Sequence, residues 1–240
     1  MEMDGIQIVH TPTEAEPFLI VDKPSGLPSA PLREGDDSAL TRLLPCFPAI
    51  AGVRGRKPVE GGLVHRLDTQ TSGLLLMATS QSFYEQILAE QDAGRFVKRY
   101  SAECDVAMGE LPGFPPCPLK SRIPASGASA FECTLQSRFR PWGPHAGQVR
   151  PVVEGAGPAA VKKASPGVYQ TDVRLEFHGT ACRASCRIVR GYRHQVRCHL
   201  AWLGFPVIGD PLYNPLANLE DPFCFRATGL EFLHLSFALN

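Results

Sequence analysis

No apolar run in the 240-residue chain approaches the roughly 20 residues of a membrane-spanning helix. The first residues, MEMDGIQIVH, carry acids where a secretory leader needs bases, and no apolar core follows them. A cytoplasmic protein is expected. The eight cysteines (46, 104, 117, 133, 182, 186, 198 and 224) include no CxxC pair. Cys182 and Cys186 are the closest, and nothing elsewhere matches them at zinc spacing. Reduced, mostly buried thiols and no structural metal are expected. No GxGxxG or GxxxxGK[ST] loop is present to cradle a nucleotide, so no cofactor is expected. No GxSxG elbow is present for a serine nucleophile. His194 and His199 are five apart, about 140° round a helix, and do not converge on a metal.

What is present is an ordinary globular composition, 44% hydrophobic and 20% charged, long enough to bury a core without staples. Formal net charge is zero, which by itself argues against a polyanion binder and predicts a shallow salt dependence. The distribution is uneven. Acids crowd the first forty residues, whereas Phe177 to Gly209 contains none. That stretch carries Arg183, Arg187, Arg190, Arg193 and Arg197, with His178, His194 and His199. A solvated face would account for it, but five unbalanced arginines also suit an anionic partner.

Along the chain, Ile6 and Ile8 alternate as on a strand, and Phe18 to Val21 is a second one closed by the turn Lys23-Pro24-Ser25-Gly26. Residues 25–37 read as loop, Ala39 to Leu44 as a short helix, and the Gly-rich basic stretch 52–62 as a mobile surface loop. Gly73 to Ala78 reads as a buried strand, and Ser80 caps a helix to about Asp92 with Gly94 as its stop. Phe96 to Val106 alternates as a strand, with Lys98 and Tyr100 on one face. The Pro/Gly-dense stretch 109–167 reads as hairpins and long loops, a loop insertion in a single domain spanning 1–240. Val168 to Phe177 and Arg183 to Val189 pair as strands joined at His178-Gly179. His194 to Leu203 is a helix with Gly204 as cap, and Leu230 to Phe237 a last strand. Strands and helices mix without βαβ regularity, so the fold class is α+β (mixed α/β) rather than a Rossmann fold.

The charged cluster His65-Arg66-Leu67-Asp68 runs straight into Gly73-Leu74-Leu75-Leu76. Asp68, flanked by Thr69, Thr71 and Ser72, is either an Asx-turn residue or a carboxylate held for chemistry. Arg197, one turn into its helix on the His194 face, is its natural counter-charge. Such a pairing keeps a carboxylate ionised and oriented, fit to act as nucleophile or base.

Three segments together settle which reading to pursue. HRLDTQTSGLLLMA, then VKRY, then RHQVRCHLAWLGFPVIGDPLY resemble the RluA-type pseudouridine synthase family. FLIVDKPSGLPSAP and LEFLHLSF frame them as weaker matches to that family's opening and closing strands. The resemblance covers nearly the whole chain, in order. It implies the pseudouridine synthase catalytic fold, a central, mainly antiparallel sheet with flanking helices and loops. It also implies an enzyme that isomerises uridine to pseudouridine in structured rRNA or tRNA, without a cofactor. In the family's pattern Asp68 is the catalytic residue, Tyr100 packs on the target base, and Arg197 pairs with the catalytic carboxylate. Arg66 fills the gap left when the uridine swings out, which a stacked base must do to be reached. His65, Arg193, His194, Gln195 and Leu233 are the remaining substrate-binding candidates. RNA is the expected partner, with no membrane, no protein partner, and a monomer.

The pattern is departed from at Gly191-Tyr192-Arg193-His194-Gln195, where the family usually reads Gly-Arg-Thr-His-Gln. Because the resemblance begins almost at once, no N-terminal RNA-binding domain of the S4 type is expected. Two other classes stay open. One is a catalytically silent RNA-binding factor on the same scaffold, although Asp68, Tyr100 and Arg197 are all intact. The other is a nucleoside or glycoside hydrolase, which needs a second acid near the first; only Glu60 is near.

Overall fold

A computed structural model describes all residues except 1, 108, 110, 124–129, 179–180, 219 and 240. The chain forms two compact units, Met1–Lys98 with Arg226–Asn240, and Arg99–Phe225.

In the first unit, strands β1 (Glu2–Met3), β2 (Ile6–His10), β3 (Phe18–Lys23) and β4 (Ser72–Ala78) run antiparallel in that order. The apolar runs foreseen at Phe18 and Gly73 are β3 and β4, and nearly every residue of both is buried. Strand β10 (Phe225–Phe232) joins β4 in parallel through Arg226↔Ser72 and Ala227↔Gly73. Gly73 permits that approach: its φ is +114°, and a Cβ there would lie 2.1 Å from the Ala227 carbonyl oxygen. The expected last strand is instead a hairpin. β10 turns at Leu233-His234 into β11 (Leu235–Ala238), both turn residues having positive φ. Helix α1 (Ala39–Leu43) is closed by a capping box from Ser38 and Thr41. Helix α2 (Gln81–Asp92) has Ser80 accepting from Phe83 N–H, and buries Phe83, Tyr84 and Ile87. Their core includes Phe18, Leu74, Leu76, Phe96 and Phe232. The stretch 52–62 departs from the mobile loop expected. It is flanked by one 3-10 turn and contains a second (Pro48–Gly52, Pro58–Glu60); Glu60 to Gly62 are buried, and Gly62 lies against Ala78 of β4.

In the second unit the strand order is β5 (Val97–Cys104), β9 (Ala181–Ile188), β8 (Tyr169–His178), β6 (Ala130–Trp142) and β7 (Gln148–Val152). The pairings β9–β8, β8–β6 and β6–β7 are antiparallel. Part of the His178-Gly179 joint lies outside the described residues. The stretch 109–167, read as hairpins and long loops, contributes the hairpin of β6, 13 residues long, and β7, together with the short helix α3 (Pro158–Lys162). Six of its residues, 124–129, lie outside the described residues. Helix α4 (Gln195–Leu203) is buried throughout, starts after His194 and ends on Gly204 with φ +101°. It packs on β7 and β8. Among the described residues no helix is long and apolar enough to cross a membrane.

Candidate active site

Asp68 sits in the connection from the 3-10 turn at 58–60 to β4. What fixes it comes from the end of β3, forty-odd residues earlier. Ser29, itself buried, straddles Leu67: its Oγ donates to the Leu67 carbonyl at 2.9 Å and accepts the Leu67 N–H at 3.0 Å. Lys23, fully buried, donates to the carbonyls of Pro24 (2.8 Å), Leu27 (2.6 Å) and Thr69 (3.1 Å). Gly26 N–H also reaches Thr69 O, and Ser25 Oγ reaches Gln70 O at 2.6 Å. Thr71 N–H closes a turn on Asp68 O. The backbone on both sides of Asp68 is therefore held by the Lys23–Ser29 loop. Burial pulls the Lys23 ammonium down to about 8, opposed by the negative charges of Asp68 and Asp22. Lys23 and Ser29 are functional neighbours the sequence reading passed over, although the Lys-Pro-x-Gly turn was its visible signal.

Arg66 is exposed, and its Nη1 pairs at 3.1 Å with Glu60, which is buried. Glu60 thus has a cation of its own. His65 turns inward. Its Nε2 accepts the Leu76 N–H at 3.2 Å, so the ring proton resides on Nδ1, which is enclosed without a partner. Burial, with Lys98 adding repulsion, holds this imidazole neutral at about 3. Lys98 is buried over the face of Phe96, 4.8 Å from the ring centre, and desolvation pulls it down to about 8. Leu233 lies in the β10–β11 turn, half-buried against the core of the first unit, its N–H on the Glu90 carboxylate.

In the second unit Tyr100 is buried and stacks on Phe225, centroids 5.2 Å apart and planes at 12°. Arg197 is likewise buried, and its carboxylate partner there is one that the sequence reading did not single out. Nε and Nη2 donate to the two Asp210 oxygens at 2.8 and 2.7 Å. Asp210 is inaccessible and also accepts the N–H groups of Leu212 and Tyr213. The rings of Tyr213 and Phe223 lie 5.2 and 5.1 Å from the guanidinium carbon. A bidentate pair of this kind fixes direction as well as charge.

The other candidates in this unit brace the start of α4. Gln195, 2% exposed, accepts from Tyr192 N–H and donates to Gln170 O and Thr171 Oγ1. These bonds use both N–H donors of the Gln195 amide and engage its oxygen as well. His194, in left-handed conformation, meets the Tyr213 hydroxyl at 3.0 Å, and that hydroxyl accepts Val149 N–H. Tyr192 stacks on Phe139, centroids 5.1 Å apart at 8°, while Arg193 reaches back to the carbonyls of Ala146 and Gln148. The arginine displaced by one position is accommodated by the Tyr192 ring entering the core and the Arg193 guanidinium gripping the β6–β7 turn. His199, a further residue that sequence reasoning left without a role, lies between Ser137 Oγ (2.9 Å) and Thr171 Oγ1 (2.8 Å), and burial drives it down to about 3. Among the described residues no cluster of three or more His, Cys, Asp or Glu side chains is placed to hold a metal.

Comparison with known proteins agrees with the motifs. Residues 17–202 match the family model described as RNA pseudouridylate synthase. The chain is 29% identical over 211 residues to ribosomal large subunit pseudouridine synthase D of Pseudomonas aeruginosa, covering 87% of this chain and 53% of that one. It is 26% identical over 216 residues to tRNA pseudouridine(31) synthase of Saccharomyces cerevisiae, covering 87% and 46%. The chain thus spans about half the length of these curated relatives. In structure it is similar to Human RNA Pseudouridylate Synthase Domain Containing 1, with a TM-score of 0.66 at 19% identity over 100% of this chain and 85% of that one. Motifs, family match and fold agree that this chain belongs to the RNA pseudouridylate synthase family, as its resemblance to the RluA type implied.

Proposed function

We propose that this protein isomerises uridine to pseudouridine in structured rRNA or tRNA, with Asp68 as nucleophile. The observation that carries this reading is the clamp on Asp68: in a family member, the aspartate of HRLD has Ser29 on its preceding residue and Lys23 on its following one. A carboxylate projecting from so fixed a backbone suits chemistry at one sugar carbon, because holding the reacting groups in place removes much of the barrier.

The reaction conserves atoms. The C1′–N1 bond breaks, the base turns, C1′ bonds to C5, C5 gives up its proton, and N1 gains one. No redox partner enters. Tyr100 packs on the base and assists removal of the C5 proton. Arg197, aimed by Asp210, is the counter-charge of the catalytic carboxylate. Arg66 occupies the gap left by the extruded uridine. These assignments rest on the family's motifs. His65, Arg193, His194, Gln195 and Leu233, the remaining substrate-binding candidates, are proposed instead as positioning residues, in view of their internal bonds. On this reading the chain works as one catalytic domain, as a monomer in the cytoplasm, with RNA as its partner.

The test is tritium release from RNA labelled at uridine C5, taken from cells lacking the gene. Release by wild type and none by Asp68→Asn is the expected result. No release by folded wild type would leave a catalytically silent RNA-binding factor. Equal release by both proteins would remove Asp68 from its role.

A further inference from the structure

The second unit treats its arginines in two ways. On β8 and β9 they are neutralised: Arg174 by Glu132 and Glu176, Arg183 by Glu103, Arg187 by Asp172. On the β6–β7 hairpin they are not. From Cys133 to Val153 the sequence has no Asp or Glu. Arg138 and Arg140 are two apart on β6, and Arg150 on β7 stands directly opposite Arg140, so all three share one face. The other face carries Ser137 and Phe139 into the core.

Among the described residues none of the three has a carboxylate partner. Arg138 donates to the carbonyls of Ser165 and Ala164, Arg140 to that of Gly113, and Arg150 to those of Pro112 and Val149. Two like charges directly opposed across a hairpin are unfavourable unless something else is gained. Aromatic rings hold them apart. The Arg140 guanidinium lies 4.5 Å from the Trp142 ring centre, and that of Arg150 lies 4.3 Å from Phe114 and 5.5 Å from Trp142. Arg193 grips the turn of the same hairpin through Ala146 O and Gln148 O, again with carbonyls only.

We propose that this face of the β6–β7 hairpin is an RNA-binding arm that takes phosphodiester groups on Arg138 and Arg140, with Arg150 and the Trp142 ring as its stacked floor. The proposal rests on the RNA reading above. Forked guanidiniums match phosphate oxygens, and guanidinium–aromatic stacks suit unpaired nucleotides. A site for an acidic peptide would need the charges but has no use for the Trp142 surface.

The experiment uses the full chain and a fluorescein-labelled stem-loop RNA, with affinity followed by anisotropy between about 50 and about 200 mM KCl. Arg138→Gln/Arg140→Gln should flatten the slope of log affinity against log salt by about 1.4 to 1.8, at roughly 0.7–0.9 per phosphate contact. Arg138→Lys/Arg140→Lys should retain the slope, which a merely structural role for the two arginines would not predict. Thermal melts by circular dichroism confirm that both variants fold. A glutamine variant with the wild-type slope overturns the proposal. So does a lysine variant as flat as the glutamine one, or polyglutamate that displaces the RNA as well as unlabelled RNA does. Tritium release with an unaltered slope would sink the arm and leave the enzyme. A hairpin-dependent slope without release would do the reverse.

Discussion

Asp68 and Arg197 are held in opposite ways. Asp68 is fixed through its backbone: Ser29, Lys23, Ser25 and Gly26 all bond to main-chain groups of residues 67–70. Arg197 is fixed through its side chain, by the two oxygens of Asp210 and two aromatic rings. The first arrangement sets where the carboxylate projects from, through the main chain on either side of it. The second determines both where the guanidinium points and how its charge is balanced. Backbone clamps suit a group that must change bonding partners, and side-chain clamps suit one that must not move.

That contrast predicts different losses. Asp68→Asn should leave folding intact and lower tritium release on the order of 10³-fold or more, since it removes the proposed nucleophile. A variant that retains more than a tenth of the activity would break the comparison at its first term. Asp210→Asn should act on stability instead. It removes the charge of the carboxylate that holds a buried guanidinium bidentately, at a cost of about 3–5 kcal/mol in urea unfolding. An unchanged midpoint would show that Arg197 does not depend on Asp210.

A pH titration sharpens the comparison, because each unit encloses one neutral imidazole. His65 and His199 are both held at about 3 by burial, against an ordinary value near 6.5. The unfolded chain therefore binds more protons between those values, and stability falls as pH falls below about 6.5. The loss by pH 5 should be about 2 kcal/mol for each histidine. Urea midpoints at pH 7 and 5 measure it. His199→Gln should reduce the difference by about half, and an unaltered difference would exclude His199 as a contributor. Ser29→Ala is the smallest of these changes. It removes two bonds to Leu67 for about 1–3 kcal/mol, and should reduce kcat while leaving RNA affinity alone. A rise in KM at unchanged kcat would mean that Ser29 serves binding rather than the aim of Asp68.

Much of this was legible in the sequence where the signal is local. The alternation of Val97 to Cys104, the Ser80 and Gly204 caps, and the HRLD string ahead of β4 all depend on neighbours in the chain. What could not be read is what distance along the chain conceals. Asp210 lies thirteen residues from Arg197, and Ser29 thirty-eight from Leu67. Neither spacing carries a periodic signature. The β10–β11 turn was missed because Leu233-His234 takes positive φ without glycine or asparagine to announce it. The length of β6 was not legible within the stretch read as hairpins and long loops, because Pro141 and the surrounding Pro/Gly density argue for loop, and Pro141 lies near its far end, where only β7 pairs with it.

Gly73 has a consequence for biosynthesis. The close fit of Ala227 against it belongs to a unit whose two parts are separated by Arg99–Phe225. A ribosome adding about 5–20 residues per second takes roughly ten seconds to cross that interval. During that time the flank of β4 that Gly73 keeps bare has no strand beside it, and exposed strand edges are where nascent chains adhere to one another. The same missing side chain that lets the sheet close makes its closure wait for the arrival of Arg226–Asn240.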